Sequence, residues 1–446
     1  MSLSRRQLLK VLGGGILVAA VMPETIRAAA FQQGRRGSAV PQEIAAWVHV
    51  GTDGKVTIFT GKVEVGQNAR TSLTQAAAEE LRVSPKDVAV VMGDTDLTPF
   101  DMGTFGSRTT PTMVPQVRKA AAQAREMLTE RAAQQWQAPA SSLKADGGMV
   151  VGAGHSASYG ELAAGKAFDG KIDPNVHLTP SSDWRVLGKS EPKVAAAEIV
   201  TGSHLYSIDL RREGMLHGVV LRAPSFGATL LTLDPSAAEK LDGVKVVHEG
   251  DFVAVAAPTQ RRAVKALDLV KSTWKETATG SSDDQNRILR GSIVGSNPPE
   301  PTKATYTCAY IAHVPLEPRA ALAEWDGTKL TVHTGSQRPF GVQQELVEAL
   351  GLKASQVRVI VPDTGSGYGG KHSGDAAVEA ARIAKALNRT VKVVWSRQEE
   401  FTWAYFRPGG VVDIVGQVSP DGHLLSWKHD NFNSGPPGID TPYDVP

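Results

Sequence analysis

Apolar and polar positions change period several times along this chain, and the changes mark its elements. From Ile44 to Gly61 they alternate, as in half-buried strands, and Asp53-Gly54 between the two runs predicts a hairpin. Ala69 to Leu81 places Leu73, Ala76, Ala77 and Leu81 on one helical face, and Pro85-Lys86 ends that helix. Val88 to Met92 reads as another strand, and a long helix is predicted from about Val114 to Gln134. Gly93-Asp94-Thr95 and Gly103 to Thr110 are loops. A second unit runs from Lys193 to Trp274, with strands at Leu216 to Leu221, Val244 to Val247 and Val253 to Ala256. Its closing helix, Gln260 to Lys271, gathers Ala263, Ala266, Leu267 and Val270. A Gly/Gln/Arg-rich stretch from Phe31 to Ser38, then Thr279 to Asp284 and Pro298-Pro299, read as linkers, and the last unit begins near Lys303.

The densest pattern lies between Val361 and Arg397. A strand ends at Asp363, a loop carries Gly365, Gly367, Gly369 and Gly370, and an amphipathic helix follows from Asp375 to Leu387. A second apolar strand spans Val391 to Trp395. Glycines alternating with one aromatic, Tyr368, let backbone N–H groups approach a ligand that side chains would exclude.

Composition narrows the chemistry. The chain has 446 residues, 41% hydrophobic and 21% charged, which is room for two to four domains. Its net charge is +2, and removing residues 1–30 takes away four cationic residues and one acidic, leaving −1. Such a balance offers no general attraction to nucleic acid. Cys308 is the single cysteine, so the chain can hold neither an internal disulfide nor an iron–sulfur cluster of its own. The context Tyr306-Thr307-Cys308-Ala309-Tyr310 suggests a buried strand residue.

Arg5-Arg6 precede an apolar run from Val11 to Met22, and Ala28-Ala29-Ala30 offers small residues for cleavage. The run is too short for the ~20 residues of a membrane span. The layout resembles a twin-arginine export signal over residues 1–30, which predicts a folded, periplasmic or periplasm-facing protein.

The loop and its flanks, Gly365 to Lys371 with Glu379-Ala380-Ala381 and Lys392-Val393-Val394-Trp395-Ser396-Arg397, resemble the large subunits of the molybdenum hydroxylases, the xanthine dehydrogenase and aldehyde oxidoreductase superfamily. The Lys193–Trp274 unit, through Gly214 to Pro224, resembles their α/β hammerhead domain. The order of segments looks like the branch that contains the β-subunits of isoquinoline 1-oxidoreductase. The resemblance implies an α+β, multi-domain molybdopterin-binding large-subunit fold with an inserted hammerhead domain. It divides the chain into the signal (1–30), an N-terminal permuted part of the molybdopterin-binding domain (31–190), the hammerhead (191–280), and the part carrying the glycine loop (281–446).

The same resemblance assigns cofactor contacts. Gly66-Gln67 matches a cofactor-contacting Gly-Gln pair, with Asn68 where a second glycine is usual. Gln337, in Thr334-Gly335-Ser336-Gln337-Arg338-Pro339, matches a glutamine beside the metal. Gly367, Tyr368 and Gly369 match the pterin-facing loop, and Gly103, Thr104, Gly106 and Ser107 form a candidate phosphate or nucleotide cradle. Tyr368, His372 and Arg407 are candidates for the substrate side, and His372 in place of an acidic residue argues against purines. His313 and Glu317 are separated by Pro315 and followed by Pro318, so a helical pair of metal ligands is ruled out, and a structural role near the cofactor is expected.

The implied cofactor is molybdenum-molybdopterin, in the cytosine dinucleotide form. The implied partners are a small subunit with [2Fe-2S] clusters, a c-type cytochrome, and an aldehyde or N-heteroaromatic substrate oxidised with water as the oxygen source. The family's general-base glutamate, in a Gly-rich motif, has no counterpart here, so no catalytic residue is assigned within the chain. The end, Gly435-Pro436-Pro437-Gly438 to Pro446, reads as the middle of a domain. Truncation, completion by a second polypeptide, and an inactive fragment or assembly module all stay open.

Overall fold

The computed structural model describes residues 43–163, 168, 170–278, 280–290 and 302–433. The expected export signal over residues 1–30, the expected linker at 31–38, Thr279, Pro298-Pro299 and the segment from Gly435 to Pro446 lie outside the described residues. Two compact units divide the chain. The first takes the described residues up to Gly218, Leu316–Gly367 and Lys371–Trp395; the second takes Val219–Pro315, Tyr368–Gly370 and the described residues from Ser396.

In the first unit, β1 (Val48–Val50) and β2 (Val56–Thr60) form the expected hairpin, turned at Gly54 with φ +77°. α1 (Ala69–Leu81) then returns the chain so that β3 (Val88–Met92) pairs parallel to β2. α2 (Val114–Trp136) follows a π turn over Thr109–Met113. Leu73, Ala76, Ala77 and Leu81 of α1 are buried with Ala120, Ala121, Ala124 and Leu128 of α2. Alanines on both faces let the two helix backbones approach closely.

A mixed sheet carries the glycine loop. β4 (Leu216–Val220) contributes its first three residues, followed by β5 (Ala320–Trp325), β6 (Leu330–Thr334), α3 (Pro339–Leu350), β7 (Val357–Ile360), α4 (Asp375–Leu387) and β8 (Val391–Val394). The strand order is β7-β6-β5-β8-β4, with β6–β7 and β8–β4 parallel and β5 antiparallel to both neighbours. Ala376, Ala377, Ala380, Ala381, Ile383 and Ala384 of α4 are buried, and α4 packs on β5 and β8. A Cβ at Gly218 would meet Ile383 Cδ1 at 2.7 Å, so that glycine sets how closely α4 sits. The end of β3 is locked to β7 by Thr95 N–H on Val359 O (3.0 Å) and by the buried Arg358–Asp94 ion pair (2.5 Å).

The second unit holds the antiparallel strands Lys245–Glu249 and Phe252–Ala257, backed by the helix Gln260–Leu267. Thr259 starts that helix by accepting from Arg262 N (3.3 Å). The helix stops short of the expected Lys271. Leu269 and Val270 bond back to Ala266 and Leu267 in a tighter turn, and Lys271–Lys275 becomes a strand paired with Thr229–Asp234. Its Ser272 and Trp274 are half-buried while Lys271, Thr273 and Lys275 are exposed, an alternation that a helix cannot serve. Cys308 ends the strand Thr302–Cys308 and is only half-buried, less than its apolar neighbours suggested.

One carboxylate of the first unit makes a pH prediction. Burial works to raise Glu324, but hydrogen bonds from His333 and Arg212 outweigh it and hold the group at about 2, below its ordinary 4.5. A carboxyl with a depressed folded pKa adds stability above its unfolded pKa and loses it as pH falls through the folded one. Discounted for the solvent that screens this half-buried group, the stability that Glu324 contributes is on the order of 1–2 kcal/mol, and it is expected to vanish between about pH 4.5 and 2. Urea midpoints measured across that window should fall less steeply for Glu324→Gln than for the parent chain.

Candidate cofactor site

Thr104 is the hub of the site. Its hydroxyl accepts from Val63 N (2.9 Å), its N–H donates to Gln337 O (2.8 Å), and its carbonyl accepts from Gln337 Nε2 (2.8 Å). Gln337 N donates in turn to Lys371 O (2.8 Å), and Gln337 Oε1 accepts from Lys371 N (3.4 Å). Four segments far apart in the chain are thereby zipped together, and three of them carry residues singled out by sequence. Gly103 and Gly367 are required at the seam. A Cβ at Gly103 would lie 2.8 Å from Gln337 O, and one at Gly367 would lie 2.6 Å from Gln337 Oε1.

Buried charges hold this seam from behind. Lys62 Nζ donates to Gly103 O (2.6 Å) and pairs with Asp101 (2.9 Å), whose carboxylate accepts from Gly103 N (2.7 Å). Burial raises the Asp101 carboxyl above its ordinary value, although Lys62 pulls the other way. Glu317 Oε2 accepts from Gly365 N (2.8 Å) and pairs with Lys371 Nζ (3.1 Å), and its other oxygen accepts from Ile208 N (3.4 Å). Lys371 is 1% exposed and Glu317 8%. The expected structural role for Glu317 is the one found, since it clamps the root of the glycine loop.

The Gly66-Gln67 segment joins the same region through Glu64. The Glu64 carboxylate accepts from the N–H groups of Gly66 (2.9 Å), Asn68 (3.0 Å) and Arg70 (3.0 Å), and its carbonyl accepts from Thr364 N (2.9 Å). Asn68 adopts φ +65°, the left-handed conformation that a glycine would otherwise supply. Gln67 itself folds back, donating to Val63 O (3.0 Å) and accepting from Val65 N (2.7 Å). Asp363, just before the glycine loop, pairs with Arg70 (2.5 Å) and lies 3.4 Å from His204 Nε2.

The remaining sequence candidates fall elsewhere. Gly106 and Ser107 sit on an exposed turn, both with positive φ. His372 packs its ring 5.1 Å from that of Phe105. In the second unit, Tyr368 is 62% exposed at φ +55°. Gly369 lies against His313, where a Cβ would be 3.4 Å from Nε2, and His313 stacks on Tyr405 at 5.8 Å. Arg407 donates to Ala309 O (2.6 Å), which makes it a brace for the paired strands Ile311–Ala312 and Phe406–Arg407. The sequence reading missed Glu64, Lys62–Asp101 and Lys371 as clamps. Charged residues beside glycines were the available signal, because a tight loop leaves backbone N–H groups that buried carboxylates can satisfy.

Two family models, each described as a molybdopterin cofactor-binding domain, match the chain over residues 12–209 and 299–440. The chain belongs to the molybdenum hydroxylase large-subunit family. This large-subunit chain is 30% identical to a nicotinate dehydrogenase chain of Pseudomonas putida, across 95% of its own length and 38% of that protein's. It is 28% identical to an isoquinoline 1-oxidoreductase chain of Brevundimonas diminuta, across 86% of its own length and 58% of that protein's. It thus spans less than two thirds of these relatives. Quinoline 2-oxidoreductase from Pseudomonas putida 86 superposes with a TM-score of 0.47 at 20% identity, over 55% of this chain and 39% of that one.

Along the wall of the seam, the amides of Gly103, Thr104 and Gln337 bond one another and Asp101, Lys62 and Lys371, so the seam is a self-satisfied brace against the glycine loop at Gly367. The buried cations at Lys62 and Lys371 are already paired with Asp101 and Glu317, so the wall itself is neutral.

Proposed function

We propose that this chain is the cofactor-binding part of an exported molybdenum hydroxylase acting on an N-heteroaromatic ring or an aldehyde. The observation that carries the reading is the seam at Thr104, Gln337 and Gly367, which lies within and between the two matched cofactor-binding regions. The names of nicotinate dehydrogenase and isoquinoline 1-oxidoreductase favour the heteroaromatic substrate. Exposed Tyr368 offers a ring face to a flat substrate.

When bound, molybdenum-molybdopterin supplies the two-electron oxidation of a substrate carbon, with water as the oxygen source. The chain's own residues hold and orient it. Gln337, bonded to Thr104 and Lys371, braces the glycine loop at Gly367, Gly66 and Gln67 close a neighbouring loop, and the Glu317–Lys371 pair fixes the loop's root. Electrons would leave through a separate [2Fe-2S] subunit toward a c-type cytochrome, since the single cysteine cannot build a cluster here. Arg5-Arg6 and the short apolar run support export of the loaded protein by the twin-arginine route.

The test is the molybdenum and pterin content of the chain purified after co-expression with the polypeptide encoded next to it. Near-stoichiometric molybdenum with released cytosine nucleotide is the expected result. A folded chain without metal or pterin would overturn the reading and leave a non-catalytic assembly module.

A further inference from the structure

We infer that Lys392 is a positioning residue for the glycine loop. Its ammonium holds the segment Tyr206–Leu210 against the sheet, and that segment carries a hydrogen bond onward to Glu317 at the loop's root. Every residue involved lies in the first unit, and the role does not depend on the activity proposed above.

Lys392 stands in β8, between β5 and β4, and is 1% exposed. Its neighbours Val391 and Val393 face α4, since a Cβ at Gly218, in register with Val393, would meet both valines and Ile383. Alternation therefore turns Lys392 to the opposite face of the sheet. There its Nζ donates to Ile208 O and to Leu210 O (3.0 Å). Among the described residues no carboxylate forms an ion pair with it. Asp209 and Arg211 lie on the covering segment, and His217 is the register neighbour on β4. On β5 the register neighbour is Leu322, and Glu324, two positions on, is taken by Arg212 (2.6 Å) and His333 (3.4 Å). An ammonium buried on carbonyl oxygens alone is costly, and an apolar side chain would fill the same space more cheaply.

The connection to the loop runs through Ile208. Lys392 holds its carbonyl, and its N–H donates to Glu317 Oε1 (3.4 Å). The other oxygen of that carboxylate receives Gly365 N (2.8 Å) and Lys371 Nζ (3.1 Å), one from each side of the glycine loop. β8, the segment and the loop root are thus joined in series. The segment is a thin cover, with Ser207 buried while Asp209 and Arg211 are exposed. When it lifts, the Lys392 ammonium reaches water and Glu317 loses a donor.

The link responds to protons. Burial first, and then Arg211, lower the Lys392 ammonium to about 8 from its ordinary 10.5, with Asp209 pulling the other way. The covered form sheds its proton near pH 8, whereas the lifted form keeps it to about 10.5. Rising pH across that window favours the covered form, and well below pH 8 both forms hold the proton and the balance is constant. Between pH 7 and pH 9 lifting should become roughly tenfold rarer.

The test is hydrogen exchange of the full chain at those two pH values, read as protection factors so that the intrinsic pH dependence of exchange divides out. The Ile208 and Gly365 amides, which donate to the two oxygens of Glu317, are expected to gain protection together, roughly tenfold at the higher pH. Lys392→Met should flatten the gain at both amides, while Lys385→Met, at an exposed lysine of α4, should leave it unchanged. A gain that survives Lys392→Met, a gain at Ile208 without Gly365, or no gain in the parent chain would each overturn the inference. Should Lys392→Met fail to fold, as its thermal midpoint reports, the parent chain decides alone. A joint gain running from about pH 8 to 10.5 then sustains the inference, and separate or absent gains overturn it. Exchange needs no cofactor, so a chain purified without molybdenum that shows the linked gain would count against the proposed function alone.

Discussion

Glu317→Leu is expected to destabilise the protein by about 3–5 kcal/mol, the usual cost of removing one partner from a buried ion pair. Glu317 Oε2 receives both Lys371 Nζ (3.1 Å) and Gly365 N–H (2.8 Å), and the ammonium it faces is 1% exposed. The substitution takes the carboxylate from a buried ammonium and the acceptor from a backbone N–H at the same time. Restoring charge balance should recover much of the loss, so Glu317→Leu/Lys371→Met is expected to be more stable than either single variant. Urea denaturation of the four proteins gives the coupling directly. A loss under about 1 kcal/mol for Glu317→Leu would mean that water reaches the pair and that the loop root is held by something else.

Gly367→Ala is the second large effect. The added methyl would sit 2.6 Å from Gln337 Oε1 and 2.9 Å from Cδ. The far end of a free glutamine would swing away cheaply, but this amide donates to Thr104 O and accepts from Lys371 N, and its backbone is bonded on both sides. Relief must break the Thr104 bridge or shift the loop, at about 1–3 kcal/mol as for other overpacked sites. Cofactor retention should suffer more than folding, with molybdenum content down roughly tenfold, the ratio that ~1.4 kcal/mol of lost binding produces. Gln337→Leu separates the two causes, because it removes the amide while adding no atom at Gly367. Unchanged molybdenum in Gly367→Ala, measured on folded protein, would remove the seam from the cofactor site.

Local pattern was a good guide wherever the deciding interactions are local. α1, β3 and α4 have the bounds that periodicity predicted, since each places its small apolar residues at helical or strand spacing and ends at a clear signal. The helix from Gln260 was overextended because Leu267 and Val270 continue its apolar face. What ends it is the pairing of Lys271–Lys275 with Thr229–Asp234, a strand too far back in the chain to be visible to a short window.

The site divides in the same way. The glycine loop stands out in sequence by its spacing, while Gln337 and the Gly66-Gln67 pair are marked only by the family resemblance. Their convergence could not be read there. Thr104 meets Gln337 across 233 positions and Lys371 meets Glu317 across 54. A lysine or glutamate has the same letter whether it is solvated or clamped. The chain by itself determined the bounds of α1 and α4 and the presence of a glycine-rich loop, because these follow from spacing and backbone freedom. Only the tertiary structure decided which charges are buried together and which amides face one another, because burial turns a solvated charge into a clamp and depends on every segment packed around it.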